Sequence, residues 1–559
     1  MRITNKIMQN NSLYNINNNK LIEDKLSSQM ATGKTLTRPS DDPVVAIRAL
    51  RLRTNVSTVT QYYKKNAPDA ELWLSTTEDS LGTVNTVLTD MVKQATSGAN
   101  EYKGAEAFSV IMEQIKELCA EVYATGDTDY AGRYIFTGFR TDTSLTFQEE
   151  TTNRKYTITE QQSRDDLDKV SYIETKDLFN MNGTTYGDST TDERDIASTD
   201  IFRMRLSYEQ TDGINSSTEI SALQTDLAAL NADLAGLTDA AAIAAKKDEI
   251  AAKEDELRSA MGIPTLEQWY VDPDTHEYVK GSNEFKVSYD EVYVDRNAAM
   301  QAVAQAGDTG NKIVYCKETG ELFMTKDVYE KLNANSDKTK GEPDNQAPEL
   351  RVTYGKTHFD GDDFRPEHYF ACTADVTDKD GNISTIDYNG GCQQRVIPGG
   401  YLTEGRDAAR QEITYDVGAN QKIRINTTAD EVFNPNIQRD VDDLQNRLND
   451  LISIEKTIDD LTTAYGTATE TEQTAIQVKI DAAKKAQTYI RDDLNKMFGT
   501  AITKFQSYID QTNVAITANG ARSQRLELVS NRLGSQKTTY ETLQSENEEI
   551  GRASCRERV

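Results

Sequence analysis

The strongest constraint on this chain is an apolar stripe at alternating three- and four-residue spacing, sustained for about six heptads. Leu52, Val56, Val59, Tyr63, Ala70, Trp73, Thr77, Val84, Val87 and Met91 carry it from about residue 48 to 95, with Asn66 and Ser80 as polar interruptions. A stripe that long predicts a rod-like coiled-coil helix rather than a helix on a globular core. Phe108, Ile111, Ile115, Leu118 and Val122 repeat the pattern until Gly126-Asp127 breaks it. The pattern returns at Asn436. Ile437, Val441, Leu444, Leu448, Leu451 and Ile458 form one stripe, and Ile476 to Met497 a second. Ile502 to Tyr540 continue it to about residue 545. Tyr465-Gly466-Thr467 reads as the loop between the first two.

Between these helical ends the texture changes. From about 148 to 433, short β-like runs alternate with turn clusters, as in Val287-Ser288-Tyr289, Ile313-Val314-Tyr315, Ile413 to Val417 and Lys422 to Ile425. Arg133 to Phe139 reads as a strand entering a hairpin. Set into the β-like stretch, Ile220, Leu223, Leu227, Leu230, Leu234 and Leu237 form a helical series that Ile243, Ile250 and Leu257 run back against. This predicts an α-hairpin at 217–261, with an exposed partner-binding coil as the alternative. The predicted fold is a mostly α rod, long antiparallel coiled-coil helices from both chain ends, with an inserted β-rich α+β outer domain. The divisions are 1–35, 43–147, 148–435 and 436–549, followed by a tail at 550–559.

Residues 1–35 are polar and Asn-rich, with a thin seam of Ile3, Ile7, Tyr14 and Leu21. So narrow a stripe buries too little to hold a helix by itself, so the segment is expected to be marginal alone and ordered against partner helices. Gly33 is a candidate C-cap. Then Arg38-Pro39-Ser40-Asp41-Asp42-Pro43 stops the helix and restarts it: Asp41 or Asp42 is the N-cap, and Pro43 suits the first turn.

Composition narrows function. The net charge is −29 and the pI near 4.6, which argues against nucleic acid and against an anionic membrane surface. No apolar run approaches the ~20 residues of a membrane helix, and the start has no apolar core of a cleaved signal peptide. Cys119, Cys316, Cys372, Cys392 and Cys555 are scattered, with no Cys-x-x-Cys pair. His276-Glu277 opens like a zinc-peptidase helix, but Lys280 stands where the second histidine belongs. Asp378-Lys379-Asp380-Gly381 opens like a calcium loop, but Asn389 stands at its twelfth position, so an ordinary hairpin turn is expected. His358 to Asp363 reads as a loop. No phosphate loop or nucleophile elbow occurs. The expectation is a structural protein with no catalytic, cofactor or metal residues. An adhesin or enzyme housed in 148–412 is the reading from another class.

Several motifs in order carry a resemblance. Met1-Arg2-Ile3-Thr4, Ala31-Thr32-Gly33-Lys34, the Pro39 to Pro43 segment, Gly132 to Gly138, Tyr415-Asp416-Val417-Gly418 through Asn426, and Gly520-Ala521-Arg522 with Arg525-Leu526-Glu527 resemble the bacterial flagellin superfamily. Filament flagellins usually lack the two prolines around the paired aspartates, so the likeness is to the branch at the hook–filament junction, with filament subunit as the alternative. It covers about 1–147 and 413–548. It implies an extracellular flagellar subunit, exported unfolded without a cleaved signal peptide. The implied assembly is a homo-oligomeric adaptor ring needed for filament growth and motility. The implied partners are a neighbouring hook-associated protein, flagellin and an export chaperone. The implied subunit-packing residues are Ile3, Ile7, Tyr14, Leu21, Pro39, Asp41, Asp42, Pro43, Arg133, Tyr134, Phe136, Arg522 and Arg525.

The last ten residues, Ile550 to Val559, break the texture with three arginines and a cysteine. The string resembles a translated sequencing-library adapter. The natural chain is therefore expected to continue beyond Glu549 into a further helix, the partner of 1–35 that the family implies. A chain ending in the adapter string is expected to fold as rod plus outer domain without assembling into a tube. A short basic tail is the alternative.

Overall fold

The computed structural model describes residues 2–36, 38–40, 42–100, 104–162, 167–175, 178, 193–209, 217–271, 278–280, 285–308, 310–337, 349–377, 381–388, 394–397, 401–404 and 411–549. In chain order the helices are α1 (Arg2–Thr32), α2 (Pro43–Gln61), α3 (Ala67–Ala99), α4 (Ala105–Gly126), α5 (Ser217–Ala235), α6 (Ala240–Ala260), α7 (Arg296–Ala306), α8 (Lys326–Asp337), α9 (Asn436–Thr467) and α10 (Glu470–Glu548). The strands are β1 (Asp129–Tyr130), β2 (Arg133–Tyr134), β3 (Arg154–Gln162), β4 (Leu167–Ile173), β5 (Ser198–Arg205), β6 (Thr265–Val271), β7 (Tyr278–Lys280), β8 (Val292–Tyr293), β9 (Ile313–Cys316), β10 (Glu321–Met324), β11 (Glu349–Lys356), β12 (Ala371–Thr377), β13 (Ile383–Asp387), β14 (Gln394–Ile397), β15 (Tyr401–Glu404), β16 (Thr414–Gly418) and β17 (Gln421–Arg424). The protein is mostly helical with sheet regions. It divides into two compact units, one of Met1–Glu78, Ile413–Asn426 and Thr517–Val559, the other of Asp79–Glu412 and Thr427–Ile516.

In the first unit the apolar stripe dictates long helices, but the helix from 43 to 99 is not uniform. A single π turn, Tyr62–Asn66, separates α2 from α3. A π turn takes up an extra residue and resets the phase of the stripe. The polar interruption has its reason here: the Asn66 side-chain amide donates to the Asp416 carbonyl of β16 at 2.7 Å. The β16–β17 hairpin is tied again by the Tyr415 hydroxyl, which donates to Asp69. On α10, Asn519 is fully buried and donates to the Leu74 carbonyl at 2.9 Å. Val59, Ala67, Ala70, Trp73, Leu74, Val417, Ile423, Leu526 and Leu533 are the unit's buried apolar residues in these elements.

In the second unit α4 packs on α9. Phe108 stacks on Phe498 of α10 with centroids 5.6 Å apart, and Tyr123 stacks on Phe364 at 3.9 Å. A five-stranded sheet, β4-β5-β10-β9-β8, buries Tyr172, Ile201, Val314 and Phe323 against Ala299, Met300 and Val303 of α7. A six-stranded sheet runs β13-β12-β3-β11-β6-β7. Helices α5 and α6 lie where the leucine series predicts a hairpin, and bury Leu223, Leu227, Ile250 and Leu257 between them.

Several local expectations are corrected. The strand read over Arg133 to Phe139 is only Arg133–Tyr134, because Gly138 at φ +64° and Gly132 at φ +76° turn the chain at either end. The Phe136 carbonyl instead accepts from the Ala429 amide at 2.9 Å. Val287-Ser288-Tyr289 joins no sheet; Val287 is buried, so its apolar character serves packing rather than a ladder. The loop read at Tyr465-Gly466-Thr467 is still helix. The break falls at Ala468-Thr469, where the Thr469 amide donates to Glu472 at 2.9 Å and the Thr469 carbonyl accepts from Gln473. That Thr-x-x-Glu start signal is the stronger one. Helices α7 and α8 have no counterpart in the periodicity reading.

Candidate assembly surface

Helix α1 forms without a core of its own. Ile7, Tyr14 and Leu21 are 53%, 66% and 68% exposed, and Met8, Leu13, Ile16, Ile22 and Met30 are exposed as well. The side chain of Ile3 lies outside the described residues. An isolated helix with this much apolar surface in water is at best marginal, as the seam predicts. Its C-terminal end is anchored: Gly33, at φ +67°, donates its amide to the Gln29 carbonyl at 2.8 Å, and the Gln29 amide group donates to the Thr35 carbonyl at 2.7 Å.

The restart works as the motif predicts, and it chooses between the two aspartates. Asp42 is the N-cap, accepting from Val44 and Val45 amides at 3.1 and 3.2 Å, with Pro43 in the first turn. Asp41 lies outside the described residues. Pro39 is exposed in the turn before it. Beyond the cap, Val44, Ile47 and Leu50 are exposed along α2. The end of α10 returns to this place. The Thr35 amide donates to the Glu548 carbonyl at 2.8 Å, the Lys34 and Glu549 backbones pair in an isolated antiparallel β-bridge, and Arg53 grips both Glu548 carboxylate oxygens at 2.6 Å. That hydrogen bond, with the guanidinium charge, holds Glu548 below the usual carboxylate range. Arg53 is half-exposed, so the pair is worth no more than about 1 kcal/mol.

The remaining candidates separate. Arg133 lies over the Tyr130 ring at 5.9 Å, and the Tyr134 amide donates to the Thr141 carbonyl at 2.9 Å. Phe136 is buried edge-on against Phe433 at 5.0 Å, so it is a core residue of its unit rather than a surface contact. Arg522 donates to the Asn426 carbonyl at 2.9 Å, and Arg525 is exposed. Among the described residues no group of His, Cys, Asp and Glu is arranged to hold a metal. His358 pairs with Asp360 at 3.0 Å. His276, Asn389 and Asp378 to Asp380 lie outside the described residues, as do Cys392, Cys555 and the tail at 550–559. Cys119 and Cys316 are buried free thiols, and Cys372 is buried. Among the described residues no helix is long and apolar enough to cross a membrane.

A second polar centre, in the other unit, escapes sequence reading. Arg203 on β5 donates to Asp168, Glu321 and Asp443 at 2.6–2.8 Å. Arg205 donates to Asp440 and Asp443, each at 2.7 Å, and Arg296 pairs with Glu321 at 2.7 Å. Burial alone would raise these carboxylates. The guanidinium charges outweigh it, leaving Asp443 well below its ordinary range and Asp168 and Glu321 lowered. The network seats the sheet on α9 and is structural.

Asp442, next in sequence, behaves oppositely. Burial pushes its carboxyl up to about 6 against the weaker pull of Arg439. An unfolded aspartate titrates near about 3.9. Between those values the folded chain holds a proton that the unfolded chain has lost, so stability falls as pH rises through that window. Asp442→Asn is therefore expected to raise the melting temperature by a few degrees at neutral pH, the gain vanishing near pH ~4. The substitution keeps the oxygen that accepts from Gln438 at 3.0 Å. Calorimetry of both proteins across that range checks it.

Residues 3–141 match the bacterial flagellin N-terminal helical region. Over much the same length the chain is similar to hook-associated proteins. Flagellar hook-associated protein 3 of Salmonella typhimurium is 29% identical over 145 residues, 25% of this chain and 45% of that protein. Flagellar hook-associated protein 3 of Escherichia coli is 28% identical over 151 residues, 27% of this chain and 47% of that protein. The match thus spans less than half the length of either relative. The crystal structure of Xanthomonas campestris FlgL aligns over 88% of this chain and 98% of that chain at 9% identity, with a TM-score of 0.24, too low to carry an argument.

Proposed function

We propose that the chain is a structural subunit of the bacterial flagellum, an adaptor that forms a homo-oligomeric ring at the hook–filament junction and is required for filament growth. The observation that carries this reading is the flagellin-type region 3–141, continued into relatives that bear the hook-associated name. The exposed apolar face of α1 supports it. Such a face is stabilised when helices from several copies bundle, so that ordering energy comes from intermolecular burial. In this reading the helices of both chain ends pack as coiled coils, side-by-side heterologous contacts close the ring, and 148–412 project as an outer domain. The neighbours are another hook-associated protein on one side and flagellin on the other. A chaperone escorts the unfolded subunit to the flagellar export apparatus, which needs no cleaved signal peptide. The role is structural rather than enzymatic. The packing candidates that remain at the surface are Ile7, Tyr14, Leu21, Pro39, Pro43 and Arg525.

Deleting the gene in its own host tests this. The expected strain has intact hooks, secretes flagellin into the medium, grows no filaments and does not swim. Normal filaments in that strain would overturn the reading. Because the matched region is flagellin's own N-terminal region, a filament subunit is the second reading. It predicts a protein as abundant as the filament itself, measured by mass spectrometry of sheared filaments.

A further inference from the structure

The segment that follows α1 and the first turns of α2 line an open groove of about 170 Å³. Leu36, Pro39 and Leu50 give it an apolar floor, and Lys34, Arg38 and Arg53 give it a basic rim, with Glu548 as the acidic side chain lining it. Arg53 is taken up by Glu548, and the exposed Lys34 and Arg38 make the remaining rim basic in a chain whose net charge is −29. Leu50 is 60% exposed, so the floor is open to a docking side chain.

We propose that this groove receives the Ile22–Glu23 face of α1 from a second copy of the chain. The proposal rests on the reading of the protein as a self-assembling subunit and names one contact of that assembly. Glu23 and Asp24 are the acidic residues of α1, and Ile22 beside Glu23 is 56% exposed. At 100° per residue, Asn19, Ile22, Glu23 and Leu26 share one face, and Lys20 and Lys25 point well away from its centre. That face offers one acid beside two apolar side chains, Ile22 and Leu26, the complement of a basic rim around an apolar floor. It is the helix-in-groove mode of recognition. The same chain cannot fill its own groove: α1 is continuous to Thr32, which holds Glu23 about 13 Å up the helix from the segment that opens the groove. The donor of the helix and the owner of the groove are therefore different copies. A heterologous contact of that kind propagates from subunit to subunit.

Sedimentation velocity of the purified full chain over a concentration series at low salt tests the contact. This pairwise association is read before any tube forms. The wild-type chain is expected to associate. The Lys34→Glu/Arg38→Glu variant and the Glu23→Lys variant are each expected to need about tenfold more protein for the same association. The variant carrying all three changes restores the charge match and is expected to return close to wild type. All three positions are exposed, and matching far-UV circular dichroism confirms the fold. A wild-type chain that stays monomeric, reversals without effect, or a triple variant no better than the single reversals would each overturn the contact. If the contact fails while the deletion strain still lacks filaments, the flagellar reading stands and only the groove assignment falls.

Discussion

Replacing Arg203 by alanine is expected to cost about 3–5 kcal/mol of stability in the unit that contains it. The side chain is 2% exposed and holds three carboxylates at once. Glu321 keeps Arg296 and Asp443 keeps Arg205, but Asp168 loses the guanidinium that gripped both its oxygens. Asp168, 36% exposed, is partly rehydrated; the cost comes mainly from Glu321 and Asp443, which are 1% and 12% exposed and each lose one of two guanidinium partners, not from the intrinsic worth of the pairs. The pH dependence identifies that cause. In the wild-type chain Asp443, Asp168 and Glu321 titrate below their ordinary range. Their contribution is fully present above the unfolded value near about 4 and is lost only as pH falls through the lowered folded values. In Arg203→Ala that opposing charge is gone, burial dominates, and the acid-unfolding midpoint moves to higher pH. Urea titrations at neutral pH and an acid titration by circular dichroism measure both. A loss under about 1 kcal/mol with an unmoved acid midpoint would show that Arg203 does not neutralise the cluster.

That network also marks the limit of what the sequence discloses. A 3-4 stripe encodes its own period, so helices such as α4 and α9 lie where their apolar residues recur. The Asp42–Pro43 restart was legible because a cap and a first-turn proline act within a few residues. The π turn was not legible as such. Asn66 showed that the stripe is interrupted, but the partner that explains it, the Asp416 carbonyl, lies 350 residues away. Arg203 and Asp443 are 240 residues apart, and 91 acidic residues make every basic residue look potentially paired. Phe136 illustrates the converse. Its motif is conspicuous, yet the residue is conspicuous because Phe433 and the Ala429 amide need it inside. Helix α7 is three turns long, too short for a period to declare itself. Its signal was the Asp295 side chain capping Ala298 at 2.8 Å. On the assembly surface, the apolar seam of α1 was legible as a seam. The groove beside it was not, because it is made by a turn, a helix start and the far end of α10.

Trp73→Ala is expected to have an effect as large, in the other unit. Trp73 looks in sequence like one more seam position. In the structure it is 1% exposed and among the largest fully buried side chains of the chain. Truncating a buried tryptophan removes its transfer free energy and leaves a cavity that helices on either side close only in part, a combined cost of about 3–5 kcal/mol. The neighbouring Leu74 carbonyl accepts from the buried Asn519 amide at 2.9 Å. Any shift of α3 into the cavity therefore strains a buried hydrogen bond, and relaxation is limited. The loss should be local, because protection reports the stability of each cooperative region. Hydrogen exchange followed by mass spectrometry should show faster exchange in peptides from 59–78, 413–426 and 517–533. Peptides from 436–460 should keep their wild-type rates. Trp73→Phe, which retains most of the buried ring, should cost less than half as much. Equal loss of protection in both sets of peptides would mean that the chain unfolds as one cooperative body. A loss confined to 436–460 would mean that Trp73 does not support the helices that carry the assembly surface.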